Sequence, residues 1–277
     1  MKIEQLEQLV AIHAHGTISA AADALFISQP TVSRSMQALE AELGYPLLER
    51  SRNRVRLNEA GLVALTHAQR VLDDLQAMRN ALADQASRVR TVRIGGCAPA
   101  PIWELTRRIV SSFPGMILST KLSGEAELER AVVSGGVDLA ILRRHLSVPA
   151  AEVVPLMSES LFVLVPCSHS LAGRDSLTWA DLNGERFLIQ SSIGFWTELV
   201  RSRMPDSEFV EQSDPNVFAQ LVVSSPLLSF GTDLTLPNSP MESRRAVPVA
   251  EADASTSYFL ASRMAAPDQI RAIMALF

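Results

Sequence analysis

Four arginines stand at alternate positions in one short run: Arg50, Arg52, Arg54 and Arg56, with Asn53 among them. A spacing of two puts them on one face of an extended strand. A row of guanidiniums there can grip the phosphates of duplex DNA, an interaction that weakens steeply with salt. Upstream stand Gln29, Thr31, Ser33, Arg34 and Gln37. Glutamine can pair with both edge groups of adenine, arginine can meet guanine or phosphate, and threonine can offer a hydroxyl or touch a thymine methyl. Thr17 and Ser28 precede helical patterns, where they can cap the helix or help its free N–H groups hold a phosphate. The formal net charge of −5 means that any such contact comes from a local patch, not from a basic coat.

These groups need elements to present them. Leu6, Leu9, Val10 and His13 fall at helical spacing and Gly16 ends that helix. ISAAADALF follows as an alanine-rich helix, which lets another helix approach closely. Ser28 and Pro30 suit the start of a third helix through Val32, Met36, Leu39 and Leu43, closed by Gly44. Residues 46–57 alternate about a polar tip, as a two-stranded ribbon does. Two helices, a tight turn and an arginine ribbon make the outline of a winged helix-turn-helix. In that motif the second helix enters the major groove and its N-terminal residues meet base edges.

Residues 58–87 then hold no proline, and Leu65, Ala68, Leu72, Leu75, Leu82 and Ala86 fit a heptad seam with Arg79 as its one polar breach. About 30 helical residues span ~45 Å. Such a rod predicts pairing with the same helix of a second copy; the other reading is a helix lying along its own domain. Beyond Arg88 the pattern turns to alternating strands and helices. Strands are predicted at 92–96, 116–122, 137–142, 161–166, 186–190, 227–231, 246–250 and 257–263. Helices are predicted from Pro101 and at 127–136, 178–184, 216–223 and 267–277. The alternation predicts parallel sheets covered by helices on both faces.

The 277 residues suggest two domains, and an apolar content of 47% excludes a disordered chain. Cys97 and Cys167 are too few for a secreted disulfide scaffold, and the N-terminus lacks the layout of a signal peptide. No apolar run approaches the ~18 residues of a membrane span. A soluble cytoplasmic protein is expected. Walker, G-x-S-x-G, CxxC-pair and HExxH motifs are absent, RIGG lacks the third glycine of a dinucleotide fingerprint, and the five histidines are scattered. Neither an enzyme, a metal site nor a cofactor is expected. The alternative is a solute-binding protein of the periplasmic type without DNA function.

Residues 16–61 resemble the LysR-type transcriptional regulators. The match to that family's pattern runs through Ala21, Ala22, Leu25, Ser28, Gln29, Pro30, Val32, Ser33, Leu39, Glu40, Leu43, Gly44, Leu47, Glu49, Arg50, Arg54, Leu57, Ala60 and Gly61. Met36, Leu48 and Asn58 are small departures. The resemblance implies an α/β protein overall. It would comprise an N-terminal all-α winged helix-turn-helix over 1–58, a long linker and dimerisation helix over 59–88, and a C-terminal two-lobed domain like a periplasmic binding protein over 91–277. Lobe I would hold about 91–162 and 260–277, and lobe II about 163–259. The implied function is sequence-specific binding of double-stranded promoter DNA under control of a small-molecule effector held between the lobes. The implied assembly is a homodimer through the linker helix and often a tetramer, away from membranes.

Taken with the groups above, the DNA-binding set is Thr17, Ser28, Gln29, Pro30, Thr31, Ser33, Arg34, Gln37, Arg50, Arg52 and Arg54. The resemblance places the effector at helix N-termini after strands. Here these carry Cys97, Ala98, Pro99 and Ala100, then Ser123 and Glu125, then Ser191, Ser192, Phe195 and Trp196, then Phe230 and Thr232. Pro99 has no N–H and Glu125 is itself anionic, so both weaken an anion site. Phe195, Trp196 and Trp103 can form an apolar or cation–π wall. A neutral or cationic effector is therefore expected; the other reading is that Glu125 only favours its helix N-terminus. Cys97 lies near a helix start, where a thiol pKa can fall, and a redox role is left open against that of a buried inert cysteine.

Overall fold

The computed structural model describes residues 1–51, 54–86, 91–191, 194–236 and 243–277, with backbone alone at 50–51, 54 and 83–86. It divides into two compact units, Met1–Ser87 with Ser134–Gly136, and Arg88–Val133 with Val137–Phe277.

The first unit runs α1 (Ile3–His15), α2 (Ile18–Ala24), α3 (Gln29–Leu43), β1 (Leu48–Ser51), β2 (Arg54–Leu57) and α4 (Glu59–Ala86). Its core gathers Leu9 and Ile12 of α1, Ala21 and Ala22 of α2, and Val32, Met36 and Leu39 of α3. The two alanines leave little side chain between the backbones. Gly16 and Gly44 close α1 and α3 in the left-handed conformation, as their position in the sequence predicts. β1 and β2 pair antiparallel.

The seam expected on α4 divides. Leu65 and Ala68 are buried, and Ala68 and Leu72 pack in the core of their own unit. The exposed large apolar side chains of α4 are Leu62, Val63, Val71, Met78 and Leu82, and Leu75 is half-buried. Leu75 and Leu82 belong to the expected seam; Val71 and Met78 join them at spacings of four, three and four, which also fit a heptad.

The second unit runs β3 (Thr91–Gly96), α5 (Pro99–Ser112), β4 (Ile117–Leu122), α6 (Glu125–Ser134), β5 (Leu139–Leu142) and β6 (Ala151–Pro166). It continues with α7 (Trp179–Leu182), β7 (Arg186–Gln190), α8 (Phe195–Arg203), β8 (Glu208–Gln212), α9 (Pro215–Ser224), β9 (Leu228–Thr232), β10 (Arg244–Pro248), β11 (Ser255–Arg263) and α10 (Asp268–Met274). Its strands follow the order β4-β3-β5-β11-β6-β9-β7-β8, with β10 also on β6.

The expected all-parallel pattern holds for β3 with β4 and β5 and for β7 with β8 and β9. It fails at β6 and β11: β6 pairs antiparallel with β9, β10 and β11, and β11 also pairs antiparallel with β5. The strand expected at 161–166 is only the last six residues of β6, a 16-residue strand. Pro155 argues against a strand in the first half, but it sits where the β6–β11 register shifts, and such an irregularity accommodates proline. The strand β8 and the helix α8 lie outside the sequence expectations, and α5 begins at Pro99 instead of Pro101.

One core gathers buried residues between Val92 and Leu156 and from Tyr258 onward; a second gathers those from Leu161 to Ala254. β6 and β11 therefore cross between two lobes, each with its own core.

Candidate functional site

In the first unit, α3 buries Val32, Met36 and Leu39 and leaves Gln29, Pro30, Thr31, Arg34 and Gln37 exposed, with Ser33 half-buried. The polar face is a consequence of the helical period: once the apolar residues dock on α1 and α2, the intervening side chains point outward. Ser28 precedes α3 in extended conformation and its hydroxyl shares a 2.7 Å hydrogen bond with Thr31 Oγ1. Arg34 Nε donates to the Pro30 carbonyl at 3.3 Å. Thr17 caps α2, its hydroxyl oxygen accepting the Ala20 N–H at 3.1 Å.

The ribbon is tied to this frame. Glu40 Oε1 accepts the N–H groups of Leu47 and Leu48 at 2.7 and 3.1 Å, and Val55 N–H donates to the Gly16 carbonyl at 3.2 Å. Asn58 holds the far end, accepting Gly61 N–H and donating to the Pro46 carbonyl, both at 2.8 Å. Arg56 is exposed. Arg52 and the side chains of Arg50 and Arg54 lie outside the described residues.

In the second unit a cavity of about 270 Å³ opens between the lobes. Of the residues the sequence nominates, Pro99, Ala100, Trp196, Phe230 and Thr232 line it, together with Trp103. Cys97 and Ala98 are buried but do not line it. Ser123, Glu125, Ser191 and Phe195 also stand outside the lining, and Ser192 lies outside the described residues.

Two of these have other engagements. Glu125 accepts the Arg143 backbone N–H at 2.8 Å and its Nε–H at 3.2 Å. The Arg143 guanidinium in turn sits 4.0 Å from the centre of the Phe195 ring. Glu125 is thus paired with a cation and does not line the cavity. Burial pushes the Cys97 thiol up to about 12, with Glu125 adding to the effect and Arg143 opposing it.

The group that reasoning from sequence missed is Glu159. It lines the cavity although only 1% exposed. Its Oε2 accepts the Tyr258 hydroxyl at 2.5 Å and the Trp196 indole N–H at 3.2 Å, and the Thr232 side chain also hydrogen-bonds it. Burial raises its pKa, and these hydrogen bonds oppose the rise. Glu159 lies on β6 and Tyr258 on β11, the two strands that cross between the lobes. The only trace in the sequence is an acidic residue inside a strand-forming run, SESLFVLV.

Gly194 precedes α8 and packs on the turn after β3. A Cβ at Gly194 would fall 2.4 Å from the Cys97 carbonyl oxygen. That contact brings the start of α8 in one lobe against the start of α5 in the other.

Among the described residues no helix is long and apolar enough to cross a membrane, and no His, Cys, Asp and Glu group could hold a metal ion.

Residues 3–62 match the model of the bacterial regulatory helix-turn-helix proteins of the lysR family, and residues 85–277 match the LysR substrate binding domain. A hydrogen peroxide-inducible genes activator of Dickeya chrysanthemi is 31% identical over 193 residues, 68% of this chain and 63% of that relative. The chain thus spans under two thirds of the length of such relatives. Among solved structures, CbnR, a LysR family transcriptional regulator, aligns over 99% of this chain and 97% of its own with a TM-score of 0.56 at 22% identity. Full-length BenM aligns over 100% and 97% with a TM-score of 0.51 at 26% identity. The helix-turn-helix frame and the two-lobed unit each fall within a matched family, and the chain belongs to the LysR family of bacterial regulators.

Proposed function

We propose that this chain is a transcriptional regulator that binds specific duplex DNA through residues 1–58, pairs with a second copy through 59–88 and responds to a small molecule bound by 91–277. The observation that carries the reading is the face of α3. Gln29, Thr31, Arg34 and Gln37 stand exposed together at the start of the second helix of a helix-turn-helix, behind a docked ribbon rich in arginine. Gln29, Thr31 and Arg34 read base edges. Thr17, Ser28, Pro30 and Ser33 shape the backbone that meets phosphate at the helix starts. Arg50, Arg52 and Arg54 grip the sugar-phosphate backbone from the wing. The exposed Val71, Met78 and Leu82, with half-buried Leu75 between, support pairing through α4, and tetramers form from such pairs.

The effector cavity supports control by ligand. Burial pushes the Cys97 thiol up, away from the lowered pKa of reactive thiols, which favours a bound molecule over a thiol as the signal. The protein acts in the cytoplasm and catalyses no reaction.

Gel shifts on the DNA flanking its own gene, against scrambled DNA, test the reading. Arg52→Ala and Arg54→Ala lower affinity on every sequence alike and flatten its salt dependence, whereas Gln29→Ala changes which sequence is preferred. Equal affinity of the unaltered protein for specific and scrambled DNA would overturn it.

A further inference from the structure

Among the described residues that line the inter-lobe cavity one is ionisable, Glu159, and none is Lys, Arg or His. The neighbouring cation, Arg143, is held by Glu125 and covered by the Phe195 ring. Asp233 adds a second negative charge near Glu159, and its Oδ1 accepts the Ser160 N–H at 3.0 Å. The rest of the wall is largely apolar, including Trp103, Leu161, Trp196, Phe218 and Phe230.

Resting on the effector reading above, we infer that this cavity selects a small apolar ligand carrying an ammonium or hydroxyl donor, which binds Glu159, and rejects carboxylates.

Three points carry the inference. A carboxylate offers about four acceptor positions, and Tyr258, Trp196 and Thr232 occupy three, leaving one for a ligand donor. An entering carboxylate would have to shed its water, face Glu159 and find no Lys, Arg or His among the lining residues to offset that cost with a full charge. The volume of about 270 Å³ lies at the low end of ligand pockets, enough for one ring and a short chain. Because Glu159 also accepts from Tyr258, a ligand held there touches both a strand that crosses the lobes and, through that hydrogen bond, its partner strand.

Three probes of one shape test this on the full chain by calorimetry: 2-phenylethylamine, 2-phenylethanol and phenylacetate. The amine and the alcohol bind, each about tenfold or more tighter than phenylacetate. In Glu159→Gln the amide oxygen can still accept from Tyr258 and Trp196 and its NH2 can donate to a hydroxyl but not to an ammonium, so the alcohol keeps its affinity while the amine loses its own by about tenfold. Gln190→Lys, which leaves Glu159 untouched and adds a cation to the wall, shifts preference toward phenylacetate; it decides the matter should Glu159→Gln fail to fold. Tighter binding of phenylacetate to the unaltered protein, an amine affinity indifferent to Glu159→Gln and Gln190→Lys, or binding of none of the three overturns the inference. Gel shifts on the same preparation separate it from the reading beneath. DNA binding without any probe binding refutes the ligand class alone, and amine binding without DNA binding refutes the regulator alone.

Discussion

Replacing Gly194 by alanine should loosen the junction of the two lobes, and the cost can be worked from two independent features. Its backbone lies at φ 69° and ψ −141°, a region that residues with a Cβ rarely enter, at a strain of about 1–3 kcal/mol. The added Cβ would also stand 2.4 Å from the Cys97 carbonyl oxygen and 3.3 Å from the Ala98 Cα. Both neighbours are backbone, so the contact is relieved only by moving α8 away from the start of α5. Gly184 provides the comparison: its φ is 93° but nothing stands within 4 Å of where an added methyl would sit. Gly173→Ala has open space and no positive φ, and serves as the control. Thermal unfolding followed by calorimetry should leave Gly173→Ala near the unaltered protein and lower the midpoint in Gly184→Ala by the strain alone. Gly194→Ala should fall further, at about 2–4 °C per kcal/mol for a unit of this size. It should also weaken binding in the inter-lobe cavity, which Gly184→Ala leaves alone. Equal midpoints for Gly194→Ala and Gly184→Ala would refute the claim that the lobes meet at this carbonyl.

Arg244 is buried and donates to the carbonyls of Leu164, Leu227 and Ser225 at 2.8–2.9 Å and to that of Val222. Arg244→Met keeps the stem but orphans these acceptors, and urea unfolding should register a loss of about 2–4 kcal/mol. Phe26 is 95% exposed at φ 55°, so Phe26→Asn removes strain without loss of packing and should stabilise the first unit by about 1 kcal/mol in the same assay; a destabilised variant would show that the ring has a packing role. Met78→Glu with Leu82→Glu places charge on the exposed stripe of α4 and should convert dimers to monomers in sedimentation, with no change in helicity. Glu159 has a pKa raised by burial in the folded state, so its contribution is greatest at low pH and is lost as pH rises through the folded value. Glu159→Gln should therefore gain stability relative to the unaltered protein from pH 4 to pH 8, and a relative loss over that range would contradict the burial.

What can be read in advance divides by the range of the interactions that decide it. The start of α3 follows from Ser28, Pro30 and the spacing of Val32, Met36 and Leu39, all within a few turns of one another, and local chemistry suffices. The exposed face of Gln29, Thr31 and Arg34 is the remainder of that pattern. The seam of α4 is only half accessible, because Ala68 and Leu72 dock on their own core while Val71 and Met78 stand outside beside Leu75 and Leu82. The cavity depends on still longer range. Glu125 looks like a free anion until Arg143 is folded against it, and Glu159 looks like one more strand residue until Tyr258, 99 positions away, lies beside it. Pro155 hides the first half of β6, and with it the strand that brings Glu159 to the junction. The polarity of the effector site is thus fixed by pairings between distant strands, where a carboxylate is taken up by a neighbour or left for a ligand. Local patterns identify the family of the molecule, whereas which of Glu125 and Glu159 lines the inter-lobe cavity is a property of the tertiary fold.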